Sequence, residues 1–282
     1  MEKGDHQIFR NTCPGNCYSA CSILSHVKKG KLLKVEGDPN HGYTLGRLCA
    51  QGYALTRKDY HRDRLPFPML QSPRGSGRWS RISWDEALSI IAEKILSLNR
   101  SFNNNQSLGL IRGAGNKGFM QKIAEDFFES LGARILSERT GSDARLGTGR
   151  LEMPEPENMA KAKHIVIWGV NPAVNGVHQM FFINRARDFS AKLIVIDPVF
   201  TPTAAQGDIY IQVKPGTDRL LAMAVAKLLV EEGNIDEDFL LQNTEGWPEY
   251  KHYVTEQVSL EEAGRLTGVG TKAIRELARY YS

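Results

Sequence analysis

Three apolar runs near the middle of the chain constrain its fold more than anything else in the sequence. HIVIWG (164–169), KLIVIDP (192–198) and DIYIQV (208–213) are continuous rather than alternating in hydrophobicity. Helix-patterned segments accompany them, MFFINRARDFSA between the first two and DRLLAMAVAKLLVEEG after the third, the latter stopping at Gly233. A strand that is apolar on both sides is buried on both sides, and strands alternating with helices form a parallel sheet covered on each face. The fold class is therefore α/β.

The same alternation begins earlier. SLGLIRG reads as a strand, FMQKIAEDFFESLG as an amphipathic helix ending at Gly132, and ARILSE as a short strand. Ahead of these, Ser83 with Glu86 three residues on forms a capping box. Ala87, Ile90, Ile91, Ile95 and Leu98 then recur at helical spacing. Residues 61–81 contain Pro66, Pro68, Pro73 and a GSG run, and are expected to be loop. Residues 6–60 carry short alternating runs and the turn GDPNHG (37–42), which predicts a small β-rich module with a hairpin from about Ser22 to Glu36. The expected organisation is a cap domain at 1–60, an α/β segment at 61–160 and a parallel-sheet domain at 161–282. LEEAGRLTGVGTKAIRELARYYS predicts two helices around a glycine turn; the second has no stop signal, so the natural protein is expected to continue beyond Ser282.

All four cysteines lie within the first 49 residues, spaced Cys13-x3-Cys17-x3-Cys21-x27-Cys49. A disulfide framework suits small secreted domains, and this chain is neither small nor preceded by an apolar leader. Four thiolates, three on one loop and a distant fourth, are what a [4Fe–4S] cube requires. Structural zinc, which favours paired C-x2–4-C units, and four ordinary buried thiols are the competing readings.

The remaining composition excludes more than it selects. The net charge of +4 over 282 residues is too small for a nucleic-acid surface. No run of about 18 apolar residues predicts a membrane span, and no export signal opens the chain, so a cytoplasmic location is expected.

Three turns carry ligand-binding character. Gly113-Ala114-Gly115-Asn116-Lys117-Gly118 matches G-x-G-x-x-G between a predicted strand and helix, which by itself reads as an NAD site, with Glu138 as a ribose acceptor. Gly169-Val170-Asn171-Pro172 ends a buried strand, where glycine admits a phosphate to the backbone and Asn171 donates to it. Asp197-Pro198 ends the next strand with an acceptor for a ribose or a guanine edge, and Pro215-Gly216-Thr217-Asp218 adds a further acidic turn. Both aspartates also suit caps and turns with no ligand at all.

Taken together, CPGNCYSAC, KKGKLLKVEGDPNHGYTLGRLC, HRDRLPFPML, RWSRISWDEAL, VIWGVNPAVNGVH, LIVIDPVFTPTAAQGDIYI and VKPGTD resemble the N-terminal part of the molybdopterin oxidoreductases, the dimethyl-sulfoxide-reductase superfamily. The resemblance spans nearly the whole chain. It implies a [4Fe–4S] cap on Cys13, Cys17, Cys21 and Cys49, Rossmann-like sheet domains, and a bis(molybdopterin guanine dinucleotide) cofactor holding molybdenum or tungsten. It implies a redox enzyme acting on a small molecule, with an iron–sulfur electron-transfer subunit as partner. By the resemblance Asn116 lies beside the pterin, and Gly169, Asn171, Asn175, His178, Asp197, Gly216 and Asp218 grip one guanosine diphosphate arm. The family's metal ligand falls about eleven residues beyond the helix end, which here is Asp143, with Ser142 as its neighbour and a metal without a protein ligand as the third possibility. Gln51 stands where the family often has lysine or arginine between cluster and pterin, so the cluster potential is expected to be lower. A non-catalytic electron-transfer homologue and an NAD-dependent dehydrogenase with a zinc clip are the alternative functions.

Overall fold

The structure, a computed structural model, describes residues 6–15, 17, 19–112, 119–137 and 155–282. The chain divides into two compact units, Met1–Met153 and Pro154–Ser282.

The first unit opens with an antiparallel meander of β1 (His6–Thr12), β2 (Ser22–Lys28) and β3 (Lys31–Gly37). The expected hairpin is there, and β1 adds a third strand through a Thr12↔Ser22 register. Between β2 and β3 the turn residues Lys29 and Gly30 both have positive φ, 49° and 71°, which fits the primed turn favoured by the right-handed twist of the strands. Cys21, Ile23, Val35 and Leu48 form the buried cluster of this module, with Cys13, Leu32 and Leu55 packed on it. Every residue of β1 is exposed, so that strand is held by its ladder rather than by a core. Two short helices follow, α1 (Ala50–Tyr53) and α2 (Leu55–Asp59).

The segment expected as loop contains a small antiparallel hairpin, β4 (Met69–Gln71) with β5 (Trp79–Arg81). Helix α3 (Trp84–Phe102) begins at the anticipated cap, where the Ser83 hydroxyl accepts from the Glu86 N–H at 3.1 Å. Its apolar stripe buries no residue: Leu88, Ile90, Ile91 and Leu96 are all exposed. Strands β6 (Gly109–Arg112) and β7 (Arg134–Ser137) pair in parallel, with α4 (Phe119–Ser130) between them in sequence.

The second unit contains the parallel sheet predicted by the apolar runs. Strands β8 (His164–Trp168), β9 (Lys192–Ile196) and β10 (Ile209–Ile211) are ordered β10-β9-β8. The central strand decides the packing. Leu193, Ile194, Val195 and Ile196 are all fully buried, and the period-2 alternation sends them to opposite faces. Leu193 and Val195 join Met180, Ile183 and Ala186 of α6 (Val177–Asp188). Ile194 and Ile196 join Leu221 and Leu228 of α7 (Asp218–Glu231), with Val254, Ala263, Ile274 and Leu277. Of these last four, Val254 lies on α9 (Trp247–Gln257), Ala263 on α10 (Leu260–Thr267), and Ile274 and Leu277 on α11 (Thr271–Arg279).

The tail pair predicted from the sequence is α10 and α11. Two helices were not anticipated, α8 (Glu237–Asn243) and α9, besides the single-turn α5 (Pro172–Asn175). Local capping accounts for α8, where the Asp236 carboxylate accepts from the Phe239 N–H at 2.9 Å. Among the described residues no helix is long and apolar enough to cross a membrane.

Candidate cofactor sites at the cysteine loop and the sheet edge

The β1–β2 connection carries three of the cysteines. Cys13 follows β1 directly and Cys21 precedes β2 directly, and the loop is closed by the Cys13 N–H donating to the Cys21 carbonyl at 2.8 Å. Amides of the loop turn toward sulfur: Gly15 N–H lies 3.4 Å from Cys13 Sγ and Ser19 N–H 3.5 Å from Cys17 Sγ. Such contacts stabilise thiolate and cluster sulfur charge.

The fourth cysteine is brought in by backbone packing. Gly37, at the end of β3, lies so close to the Gly46 carbonyl that no Cβ could be placed there. That approach fixes the 44–49 segment against the sheet, Leu48 enters the core, and Cys49 takes the N-cap position ahead of α1. Asp38 braces the same turn. Its carboxyl is held below the usual carboxylate range first by the Asn40 N–H, then by the Ser22 hydroxyl and Arg10, against its burial.

Among the four cysteines Cys21 is buried, Cys13 and Cys49 are half-buried and Cys17 is exposed. Burial, followed by the charges of Cys13 and Cys17 and more weakly Cys49, pushes the Cys21 thiol up to about 11. The buried Cys21 thiol thus lies close enough to Cys13, Cys17 and Cys49 to feel their charge. Among the described residues no three His, Cys, Asp or Glu side chains close on a single ion. The four-cysteine donor set and the amides at sulfur fit an iron–sulfur cluster.

The second place is the edge beyond the C-terminal ends of the parallel strands, where open α/β sheets bind ligands. After β8, Gly169 has φ +65° and still donates to the Ile196 carbonyl at 2.9 Å, extending the ladder by one residue in a conformation that suits glycine. Asn171 then starts α5, its carbonyl accepting from Val174 and Asn175 N–H at 3.0 Å each. Its side-chain oxygen accepts from the Thr203 hydroxyl at 2.6 Å. After β9, Asp197 is buried and one of its oxygens accepts from the Val199 N–H at 2.8 Å. After β10, Gly216 has φ +80° and Asp218 opens α7, its carboxylate accepting from the Trp168 indole N–H at 2.7 Å. Asn175 is exposed at the end of α5, and His178 is buried in the first turn of α6. Gln51 is exposed on α1. Asn116, Asp143 and Ser142, as well as Glu138, lie outside the described residues.

Two family models cover the chain. One, the molybdopterin oxidoreductase Fe4S4 domain, matches residues 7–61, and the other, molybdopterin oxidoreductase, matches residues 64–275. The chain belongs to the molybdopterin oxidoreductase family. As a molybdopterin oxidoreductase it is 34% identical over 284 residues to a probable oxidoreductase, YyaE, of Bacillus subtilis, a match that takes in 98% of this chain and 42% of the relative. It is 30% identical over 321 residues to the dimethyl sulfoxide reductase DmsA of Escherichia coli, 98% of this chain and 39% of that protein. The solved structure of acetylene hydratase from Pelobacter acetylenicus superposes with a TM-score of 0.77 at 26% identity, covering 95% of this chain and 38% of that one. The chain thus spans about two fifths of the length of the curated relatives it matches. Membership of the molybdopterin oxidoreductases, with their Fe4S4 domain, supports an iron–sulfur cluster and a molybdopterin cofactor.

Two residues that order the sheet edge escaped the sequence. Trp168 and Thr203 act on Asp218 and Asn171 across 50 and 32 residues, a separation that local pattern does not encode. The only local signal was the position of Trp168 directly before Gly169.

Proposed function

We propose that this chain is the part of a molybdenum- or tungsten-dependent oxidoreductase that houses a [4Fe–4S] cluster and grips a bis(molybdopterin guanine dinucleotide) cofactor. The approach of Cys13, Cys17 and Cys49 to the buried Cys21 carries the reading. Cys13, Cys17, Cys21 and Cys49 would hold the irons, with the Gly15 and Ser19 amides offsetting sulfur charge. When bound, these groups supply single-electron transfer at the cluster and two-electron exchange with a small substrate at the pterin-held metal. Gly169 and Asn171 would receive a diphosphate, and Asp197 and Asp218 would accept from the ribose or guanine of the same arm. Asn175 and His178 belong to this reading by family resemblance, as does Asn116 at the pterin.

Asp143 would be the protein ligand to the metal, a hard oxygen donor suited to its oxidised state. Gln51 brings no cation between the two groups, which leaves the reduced cluster less stabilised. An iron–sulfur subunit is the natural electron partner, and the substrate of the whole protein is a small molecule.

The test is anaerobic purification of the full-length protein. Brown protein with broad absorbance and about four irons per chain is expected, and Cys17→Ser should lose most of that iron. One zinc and no iron per chain would end the reading. For the metal ligand, X-ray absorption of wild type and Asp143→Ala should differ in the metal–oxygen shell; identical shells with activity retained would remove Asp143 from it.

A further inference from the structure

We propose that Thr203 is a positioning residue, whose hydroxyl fixes the Asn171 amide so that its nitrogen, not its oxygen, serves the phosphates of the dinucleotide. The inference rests on the guanosine diphosphate reading of the sheet edge.

The hydrogen bonds leave little choice. Thr203 is fully buried. Its hydroxyl has one proton to donate and lone pairs to accept with. The Ala173 N–H, in the first turn of α5, donates to it at 3.0 Å. Its own proton goes to Asn171 Oδ1 at 2.6 Å. A reversed amide would face Thr203 with N–H groups and strand the buried hydroxyl proton without an acceptor among the described residues. Burying such an orphan is costly, so the assignment of oxygen and nitrogen follows from the network.

The consequence falls on Asn171. Its main-chain carbonyl is taken by Val174 and Asn175, and its side-chain oxygen by Thr203. What the side chain retains is a pair of amide protons, one residue past the strand-end pair Gly169-Val170. A residue restricted to donating selects anionic oxygen and rejects donors. The threonine is well placed to hold this orientation. A short turn, Ala204–Gln206, follows it, and the Ala204 N–H donates to Thr201 Oγ1 at 3.1 Å. One hydroxyl therefore ties the loop after β9 to the loop after β8.

The experiment uses the full-length, cofactor-loaded enzyme. Guanine retained per chain is followed through timed dialysis, with iron per chain and melting temperature measured alongside. Thr203→Val should lose guanine about tenfold faster, the scale of one charge-assisted hydrogen bond, while iron is unchanged. Thr203→Ser, which keeps the hydroxyl, should stay within about twofold of wild type by the same reasoning. In an Asn171→Ala background, Thr203→Val should add nothing, because its effect passes through the missing amide. If Asn171→Ala retains guanine like wild type, the site reading itself fails and the proposal with it. If Asn171→Ala sheds guanine and Thr203→Val does not, the site stands and Thr203 has no part in it. Additive effects on guanine release, or loss in Thr203→Ser, would assign Thr203 to packing and overturn the proposal. Failure of Thr203→Val to fold counts with this last result.

Discussion

A Cβ added at Gly37 would overlap the Gly46 carbonyl and carbonyl carbon, both of them backbone atoms. Neither can swing aside like a flexible side chain, so Gly37→Ala must move the segment that delivers Cys49. Overpacking of this kind costs about 1–3 kcal/mol or more, and it falls on a module with a small core. We expect Gly37→Ala to lose iron and to melt early. Gly42→Ala, where a Cβ meets nothing within 4 Å, should behave as wild type in both assays; equal iron contents in the two variants would show that the approach of Gly37 to Gly46 does not place the fourth thiol. At this scale the cysteines were legible because their spacing is itself the signal. Gly37 was not, because its role depends on a backbone nine residues away that only the folded turn brings near. Thr203 and Trp168 were hidden for the same reason at longer range.

Among the elements, β9 had the plainest sequence signature and also the most complete burial. Its start is set by a polar contact: the Asp208 carboxylate accepts from the Leu193 N–H at 2.8 Å. That hydrogen bond first, then Arg187 and Lys192, hold the Asp208 carboxyl below its usual 3.8, against burial. A carboxyl depressed in the folded state stabilises the fold above its unfolded value of 3.8 and loses that contribution as pH falls through the lower folded value. Asp208→Asn should therefore lower the melting temperature at neutral pH, and the gap to wild type should close as pH drops below 3.8. A gap that stays constant over that range would show the charge to be idle. Other elements were less legible. The β4–β5 hairpin is three residues a side within a segment of prolines and glycines, so no alternation could develop. Helix α6 starts at Val177, ahead of the run that marked it, because His178 carries no apolar signal although it is buried.

For the molecule as a whole, the two compact units differ in what holds them. The second has cores on both faces of its sheet. The cysteine module of the first has one small cluster and an exposed first strand. Small metal-bound modules of this kind draw much of their folding free energy from the metal. Chelation or oxidation of the loaded protein should open residues 6–60 to protease while fragments containing 161–282 persist. Cleavage of both regions at the same rate would mean that the cluster does not support that module separately. The α/β class was legible because a parallel sheet needs doubly apolar strands. The extent of α3's unburied stripe was not, since helical periodicity states which face is apolar and says nothing of what covers it.

The two-sided burial of β9 also has a consequence for the order in which the chain is made. One cover, α6, precedes the strand in sequence, but the other, built from α7, α9, α10 and α11, follows it. Until residues 218–279 emerge, Ile194 and Ile196 face water on a strand whose run Leu193-Ile194-Val195-Ile196 carries no charge, proline or glycine. Such a segment is a template for intermolecular strand pairing. A chain stopped at Val213 should scatter light and bind an amyloid dye at concentrations where the 282-residue chain stays clear, and replacing Ile194 by lysine in the short chain should suppress this. A clear solution of the short chain would show that α6 and the flanking strands alone shield β9. If the short chain aggregates, the nascent protein carries an adhesive segment uncovered until residues 218–279 are made, with aggregation and synthesis competing for the same strand.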